Sequence, residues 1–503
     1  MGARRAGGRY SGSVAVPAKS SKPRATAAGA SSQDVDRLLL DIAHYVDRDN
    51  VGSEDAYRIA RLCLMDSLGC ALQALSYPAC TRLLGPIAPG TIVPNGARVP
   101  GTSFQLDPVS AAFNFGCMIR WLDFNDSFTA GTGHPSDNIA GILAVADHVS
   151  RRNAAAGKPP VLMRQVLGAM IKAHEIHGLL ALENNFGAAG LDHGWFGRVA
   201  TAAVASKLLG GSVDEILNAV SNACLEVNMR TFRQAPNTGS RKSWAGGDAT
   251  ARGVQLALMA IKGEMGYRSA LSAPKWGFYD VVLKGRPLSV SRSFGSFVME
   301  NVMFKISYPA GAHAQSAIEC AVKLSPSIRG RIGDVERIDI VTHEKARQVM
   351  DKTGPLRNPA DRDHCLQYVV AVGLIFGDVA AHHYEDAAAA DPRIDALRSV
   401  MHVTENPAYT RAMYDQSRRA NSAAVAVRFR DGSSSGPVET LYPIGHPFRR
   451  ADAMPLLDHK FRASIRQRYS EKQQRSILNL LSDQAALEAM PVHEFVDMTV
   501  IPG

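Results

Sequence analysis

The feature that most constrains the fold is an apolar pattern with helical spacing over residues 34–283. Acidic residues at Glu54 and Asp55 precede apolar positions that recur about every 3.6 residues, which is typical of a helix start followed by a buried helix face. Ser212 and Glu215 have the spacing of a capping box and follow the Gly-Gly pair at 210–211, where the preceding helix should end. The pattern therefore predicts a large all-helical domain.

The pattern changes near residue 304. The β-branched, alternating segment 335–342 predicts a strand, and segments 424–430 and 438–441 flank a Gly- and Ser-rich loop, which predicts a hairpin. Segments 363–376 and 393–401 have helical spacing, as do 454–461, 466–481 and 482–490 after Pro447. We therefore predict a mainly α protein: a discontinuous helical domain from residues 34–303 and 449–503, with an α+β domain inserted at 304–448.

The net charge of +9 lies mostly in the first 33 residues, which hold six basic residues and no acidic one. Without them the chain is nearly balanced, at +3. Residues 1–33 are rich in Ala, Gly and Ser, so they fit either a disordered basic tail or a mitochondrial targeting segment. The remaining chain has no basic stripe with interleaved aromatics, which argues against a nucleic-acid partner.

The apolar stretches and the cysteines exclude two further classes of protein. No apolar stretch approaches the roughly 18–20 residues of a membrane span, so no membrane association is expected. The seven cysteines form no C-x-x-C pair, which favours reduced thiols. Cys63, Cys70 and Cys80 begin inside a predicted helix and have poor spacing for an iron–sulfur cluster. We therefore predict neither a metal nor another cofactor.

Polar residues gather in segments marked by glycine or proline. They are WLDFNDSFT at 121–129, GHPSDN at 133–138, LDHG at 191–194, KISYPAGAH at 305–313 and NPADRDHCLQY at 358–368. Acids, hydroxyls and histidines in such stretches can supply a base, an acid and substrate hydrogen bonds. Helix caps, turns or core histidines use the same residue types, and the spacing alone leaves both interpretations open.

Residues 230–248 are the strongest candidate for binding an anion. Four basic residues and a Pro-Asn-Thr-Gly turn precede a predicted helix, and basic side chains at a helix N-terminus attract anions. The spacing is not that of a phosphate-binding Walker loop, so the anion need not be a nucleotide. A G-x-S-x-G match at 432–436 lies in the predicted hairpin loop, whereas a nucleophile elbow requires a strand that runs into a helix.

Together these segments resemble the MmgE/PrpD family, and the resemblance covers nearly the whole chain after residue 34. The segments that carry it are DSLGCAL (66–72), YPACTRLLGPIAPGT (77–91), WLDFND (121–126), GHPSDN (133–138), KAHEIHG (172–178), APNTGSRKSWAGGDATAR (235–252), NPADRDHCLQY (358–368) and YPIGH (442–446). The resemblance implies a helical domain with an inserted α+β lid, a homodimer, and a reaction that needs no metal or cluster.

The implied activity is the removal of water from 2-methylcitrate, a branched tricarboxylate, to give 2-methyl-cis-aconitate in propionate breakdown. Two alternatives within the family are dehydration of citrate and decarboxylation of cis-aconitate. The cytoplasm is the implied compartment, with the mitochondrial matrix as the alternative if residues 1–33 are a transit peptide. We expect no nucleic acid and no membrane among the partners.

The resemblance also implies an active site between the helical domain and the lid. The catalytic residues carried onto this sequence are Asp123, His134, His193, Lys242, His313 and Tyr368, with Ser127, Arg233 and Arg241 as substrate-binding residues. Lys242 should hold a substrate carboxylate as negative charge builds on it. His134 and His193 should serve as base and acid in an order that the sequence leaves open. Asp123 should orient a histidine, and His313 and Tyr368 should close over the substrate from the lid.

Three departures from the family pattern concern the pocket. Ser127 replaces a more typical Thr, and the connection Ser127–His134 (SFTAGTGH) differs from that of relatives, which carry larger residues before Gly-His-Pro. His193 is followed by Gly-Trp-Phe-Gly-Arg where relatives have aliphatic residues. These differences affect the expected pocket shape more than the expected reaction.

Overall fold

The N-terminal half of the protein is built almost entirely from helices. The structure is a computed structural model that describes residues 35–51, 53–128 and 133–502, so the predictions for residues 1–33 fall outside the described residues. The elements of this half are α1 Arg37–Asp47, α2 Glu54–Ala74, α3 Pro78–Thr81, β1 Ala97–Arg98, β2 Gln105–Leu106, α4 Pro108–Arg120, α5 Ile139–Ala155, α6 Met163–Glu183, α7 Gly194–Leu208, α8 Val213–Cys224, α9 Arg241–Ile261, α10 Phe278–Leu283 and α11 Phe297–Glu300.

The helix starts predicted at Glu54 and Ser212 are confirmed by their caps, and α4 begins with a cap of the same kind. The Ser53 side chain accepts a hydrogen bond from the backbone N–H of Ala56, and Asp107 caps α4 in the same way. Ser212 and Glu215 form the complete capping box that their spacing predicts. These side chains satisfy backbone donors that a helix N-terminus otherwise leaves unpaired.

Helices α4 and α9 approach closely because two glycines face each other. A Cβ atom on Gly116 would lie 2.5 Å from Cα of Gly247, and a Cβ on Gly247 would lie 2.7 Å from the backbone N of Cys117. Only a residue without a side chain fits there. This contact places the N-terminus of α9 beside the C-terminus of α4, where the candidate site is found.

The second part of the chain is a four-stranded sheet with helices. Its elements are α12 Gln315–Ile328, β3 Val335–Thr342, α13 Glu344–Met350, α14 Pro359–Arg362, α15 Leu366–Phe376, α16 Asp386–Ala389, α17 Pro392–Ser399, β4 Met401–Glu405, α18 Pro407–Tyr414, β5 Ala423–Phe429 and β6 Val438–Thr440. The strand order is β4-β3-β5-β6, with β3 parallel to β4 and antiparallel to β5.

The sheet confirms the predicted strand and hairpin and corrects one helix. β3 occupies Val335–Thr342, and β5 pairs with β6 in antiparallel fashion. The predicted helix 393–401 ends at Ser399, because Met401 begins β4. Ile338 and Ile340 of β3 share one buried apolar cluster with residues of α12 and α15. This cluster is drawn from residues 308–429 and is separate from that of the helical part.

The C-terminal helices return to the first part. They are α19 Arg450–Arg466, α20 Glu471–Ser482, α21 Gln484–Ala489 and α22 Val492–Thr499. Phe461 and Phe495 belong to the same apolar cluster as the residues of α2 and α6. Lys460 Nζ contacts Asp66 Oδ1 at 2.7 Å, which joins α19 to α2 in the interior.

The mainly α fold is confirmed. The domain limits at residues 304 and 448 remain predictions, which the two separate apolar clusters support. In residues 35–51, 53–128 and 133–502, none of the helices combines the length and the apolar character that a bilayer crossing requires.

Candidate active site

Two polar motifs after α4 are joined into one unit by hydrogen bonds. The chain turns at Asp123, whose φ is 50°, and then runs through Asn125 and Asp126. Asn125 Nδ2 donates to Ser136 Oγ at 2.8 Å and to Asp137 Oδ1 at 3.0 Å, and the backbone N–H of Ser136 donates to Asp126 Oδ1 at 3.1 Å. The motifs 121–126 and 133–138 are therefore held side by side, which brings Asp123 close to His134.

The Asp123 carboxylate lies at the centre of a buried charge cluster. It is 1% exposed and is surrounded by three cations and two histidines. Its neighbours are Arg120 Nη1 at 3.0 Å, Lys305 Nζ in direct contact, Lys242 Nζ at 3.8 Å, His364 Nε2 at 3.2 Å and His134 Nε2 at 3.4 Å. The Asp123 carboxylate therefore holds cationic side chains as well as imidazole rings in place around it.

The charges in this cluster shift the pKa values of its members. Burial by itself would raise the pKa of Asp123, but Arg120 and Lys305 hold it well below its usual range, so the group is a carboxylate. Burial lowers the pKa of Lys305 to about 8, although Asp123 favours its charged form. Asp123 and Lys305 thus form an ion pair in which the lysine can lose its proton near physiological pH.

Lys242 stands on the first turn of α9 and points into the interior. It is 1% exposed, its Nζ contacts the carboxylate of Asp363, and it lies 2.9 Å from Nδ1 of His364. Burial lowers the Lys242 pKa, and the attraction of Asp363 and Asp123 opposes this shift only in part. Burial and the charge of Lys242 lower the His364 pKa to about 4, so this imidazole is neutral at pH 7.

His134 and His193 face each other near Lys242, with ring centroids 6.2 Å apart. The pKa of each lies well below its usual value, first because both are buried and then because arginine side chains lie nearby. Arg233 donates to His193 Nε2 at 3.3 Å and also contacts the Asp192 carboxylate. Both histidines are therefore neutral, and His193 has its Nε2 lone pair already engaged.

A buried pair, Asp126 and His174, lies behind His134. His174 Nδ1 is 2.9 Å from the carbonyl oxygen of Met170, to which it must donate, and His174 Nε2 is 3.0 Å from Asp126 Oδ2. A carboxylate oxygen and an imidazole nitrogen at this distance need a proton between them. The pair therefore fixes the segment that carries His134.

These side chains border a cavity of about 270 Å³. Its lining includes Ser127 from the motif after α4 and four histidines, namely His134, His193, His313 and His364. The basic residues that line it are Arg120, Arg230, Arg233, Lys242 and Lys345. Among the described residues, no aspartate or glutamate lines this cavity. Such a surface favours a ligand with several negative charges.

Most of the predicted site residues are brought together. Ser127, His134, His193, Arg233, Lys242 and His313 line the cavity, and Asp123 lies directly behind it. Tyr368 and Arg241 are placed elsewhere. The Tyr368 hydroxyl donates to the backbone oxygen of His383 at 2.6 Å inside the core of the second part. Arg241 pairs with Asp248 at 3.2 Å and lies over the Trp244 ring at 4.4 Å, outside the cavity lining.

Several residues of the charge cluster around Asp123 were not predicted from the sequence. Lys305 lies in the polar segment 305–313, and Asp363 and His364 lie in the polar segment 358–368. The sequence therefore indicated these segments but not the contacts that the three residues make. Arg120 immediately precedes the WLDFND motif on an apolar helix. No local signal indicates Arg120, because its partner Asp123 is reached only through the turn that follows.

Within the described residues, two groups of buried or largely buried side chains have the composition of a metal site. They are Cys63 with Asp126 and His174, and Asp123 with Asp363 and His364. In the second group, Lys305 and Lys242 already lie against the carboxylates, and their positive charge opposes a metal cation there. The prediction of a reaction without a metal or cofactor remains a prediction.

Known proteins with similar sequences cover nearly the whole chain. The MmgE/PrpD N-terminal domain matches residues 40–291, and the MmgE/PrpD C-terminal domain matches residues 308–484. A protein of Cupriavidus necator named 2-methylcitrate dehydratase is 56% identical over 93% of this chain and 98% of its own length.

Two further relatives carry related names. The 2-methylcitrate dehydratase of Escherichia coli (strain K12) is 54% identical over 93% of this chain and 98% of its own length. A protein of Yarrowia lipolytica named "2-methylcitrate dehydratase, mitochondrial" is 47% identical over 93% of this chain and 91% of its own length. The matches to the two family domains and the similarity to these relatives show that the chain belongs to the MmgE/PrpD family.

Proposed function

We propose that this protein is a hydro-lyase that removes water from 2-methylcitrate to give 2-methyl-cis-aconitate. The observation that carries the proposal is the cavity lining, with five basic residues and no acidic one among the described residues. A tricarboxylate brings three negative charges to this surface. The names of the relatives from Cupriavidus necator and Escherichia coli support the same substrate.

The reaction breaks a C–H bond next to a carboxylate and a C–O bond on the neighbouring carbon. A base takes the proton, the electron pair forms the C=C bond, and the hydroxyl group leaves as water after it gains a proton. Charge builds on the carboxylate next to the carbon that loses its proton. We assign Lys242 to that carboxylate, because its ammonium group lines the cavity on a rigid helix.

His134 is the base in this proposal. Its Nδ1 lies 2.6 Å from a backbone carbonyl oxygen, so Nδ1 carries the proton and Nε2 retains its lone pair at the cavity. Its lowered pKa keeps it neutral and able to accept a proton.

We assign His193 to the leaving hydroxyl, a role in which Nε2 takes up a proton and gives up the hydrogen bond that it accepts from Arg233. Burial, the first cause, and Arg233 hold its pKa down, while Asp192 favours its charged form. The carboxylates of a bound substrate would add negative charge beside it and raise that pKa, which makes the protonated form available.

The test is a comparison of three substrates with the purified protein. Dehydration of 2-methylcitrate should raise the absorbance of the conjugated double bond, with slower turnover of citrate and no release of carbon dioxide from cis-aconitate. Carbon dioxide and itaconate from cis-aconitate would favour the decarboxylase alternative instead. Preference for citrate over 2-methylcitrate would favour the citrate dehydratase alternative.

We further propose that the protein acts as a homodimer without a nucleic-acid partner. The cytoplasm is the proposed compartment, and the mitochondrial matrix is the alternative that the name of the Yarrowia lipolytica relative supports. Light scattering of the purified protein would test the dimer, and a monomer mass would contradict it.

A further inference from the structure

We propose that Arg230 and Lys345 together bind the substrate carboxylate that is remote from the reacting bond. The inference rests on the proposed function, since it assumes a polycarboxylate ligand. In 2-methylcitrate, one carboxylate adjoins the C–H bond that breaks and a second is on the carbon that loses the hydroxyl group. The third ends the CH₂ arm and takes no part in the chemistry.

The cations that line the cavity differ in whether they are paired with a carboxylate. Arg120 is paired with Asp123, Arg233 with Asp192, and Lys242 with Asp363. Among the described residues, neither Arg230 nor Lys345 forms an ion pair with a carboxylate. These two therefore supply positive charge that no direct ion pair among the described residues neutralises, although Asp192 and Glu344 act on Arg230 and Lys345 from a longer range.

The paired and the unpaired cations also differ in how deeply they are buried. Lys242 and Arg120 are each 1% exposed at the inner end of the cavity, whereas Arg230 and Lys345 are half-buried. Both cations also help to lower the pKa of His313, after the larger effects of burial and His343. Arg230 and Lys345 thus line the more exposed part of the cavity wall, whereas Lys242 and Arg120 line its buried part.

Arg230 and Lys345 come from different parts of the fold. Arg230 begins the short 3₁₀ segment Arg230–Arg233 before α9, and Lys345 lies on α13 of the second part. Burial and the charge of Arg230 both lower the Lys345 pKa. Without a ligand, the two like charges repel each other across the cavity, and a carboxylate between them replaces repulsion with two charge-assisted contacts.

The experiment measures binding without turnover. Tricarballylate has three carboxylates and no hydroxyl group to lose, so its affinity can be titrated by calorimetry with the whole protein. Arg230→Gln and Lys345→Gln should each weaken tricarballylate binding about 10-fold. Combining them should weaken it by less than the product of the two single effects, because both hold one carboxylate.

A second ligand locates the contact. Methylsuccinate is tricarballylate without one terminal carboxylate, and it should bind the wild type and the two variants with similar affinity. A loss of methylsuccinate affinity as large as that of tricarballylate would show that the substitutions act on the whole cavity, and would overturn the inference.

The control is Arg347→Gln, which removes an exposed cation two residues along the same helix. Its tricarballylate affinity should match that of the wild type. Lys345→Arg keeps the charge and should retain most of the binding. Equal affinities in wild type, Arg230→Gln and Lys345→Gln would overturn the inference.

Failure of the proposed function gives a different result. If the protein binds tricarballylate through these two residues but dehydrates none of the three substrates, the inference stands and the proposed function is wrong. If kcat/KM for 2-methylcitrate is undiminished in both single variants, the proposed function stands and the inference is wrong.

Discussion

Nδ1 of His134 lies 2.6 Å from the backbone carbonyl oxygen of Asp126, while the Asp126 side chain is held by His174 and by the backbone N–H of Ser136. A carbonyl oxygen only accepts, so the imidazole must donate from Nδ1. Its Nε2 therefore carries the lone pair, and this atom lies 3.4 Å from the Asp123 carboxylate. One backbone contact thus sets the tautomer of the proposed base.

This relationship predicts the behaviour of His134→Gln. The amide cannot accept the substrate proton, so kcat should fall by about 10²–10⁴-fold while KM changes little. The diagnostic measurement is exchange of the substrate C–H proton with deuterated solvent, followed by NMR. Exchange should disappear in His134→Gln and persist in His193→Gln. Retained exchange in the first variant would assign the base elsewhere.

Lys242→Ala should lose most of the dehydration activity. The variant removes the positive charge beside the carboxylate that gains negative charge, and we expect a drop in kcat of about 10²–10³-fold. Arg241→Gln is the matched comparison, because the neighbouring side chain pairs with Asp248 outside the cavity lining. It should keep near-normal turnover. Similar losses in both variants would contradict the different orientations of these two residues.

The pH profile should report Lys305. Burial lowers its pKa to about 8, so the side chain is charged below that pH and neutral above it. Loss of the proton leaves Asp123 with one cation fewer, and kcat/KM should fall as the pH rises through about 8. Lys305→Arg stays charged, so its alkaline limb should move to higher pH. An alkaline limb unchanged by this substitution would assign it to another group.

Tyr368→Phe tests a residue that the family resemblance implies and the structure places elsewhere. The lost hydrogen bond to the His383 carbonyl oxygen should cost about 1 kcal/mol of unfolding free energy, measured by denaturant titration. The value of kcat should change less than about threefold. A large fall in kcat with unchanged stability would restore Tyr368 to the active site.

Lys460→Met should be among the most destabilising single changes in the interior. Both Lys460 and Asp66 are buried, and removing one partner of such a pair costs about 3–5 kcal/mol of unfolding free energy. The double variant with Asp66→Asn leaves no unpaired charge and should recover part of this loss. A double variant less stable than Lys460→Met would mean that packing, and not charge, dominates at this contact.

The sequence predicted much of the fold because helix and strand signals are local. The caps at Ser53, Asp107 and Ser212 act within three residues, and the alternation of β3 is visible within eight. The parallel pairing of β3 with β4 was not predicted, since it depends on contacts between segments some sixty residues apart. The end of the helix at Ser399 was missed for the same reason.

For the site, the sequence by itself determined which residue types are available, through motifs such as WLDFND and GHPSDN whose members are close in the chain. Only the tertiary structure decided which of them meet. Lys305 reaches Asp123 across 182 residues, and Lys242 reaches Asp363 across 121. Adjacent residues on a helix point about 100° apart, so Lys242 faces the cavity while Arg241 faces away. The spacing of apolar residues indicates which face of a helix or strand is buried. The partner of a buried charge depends instead on the element that packs against that face.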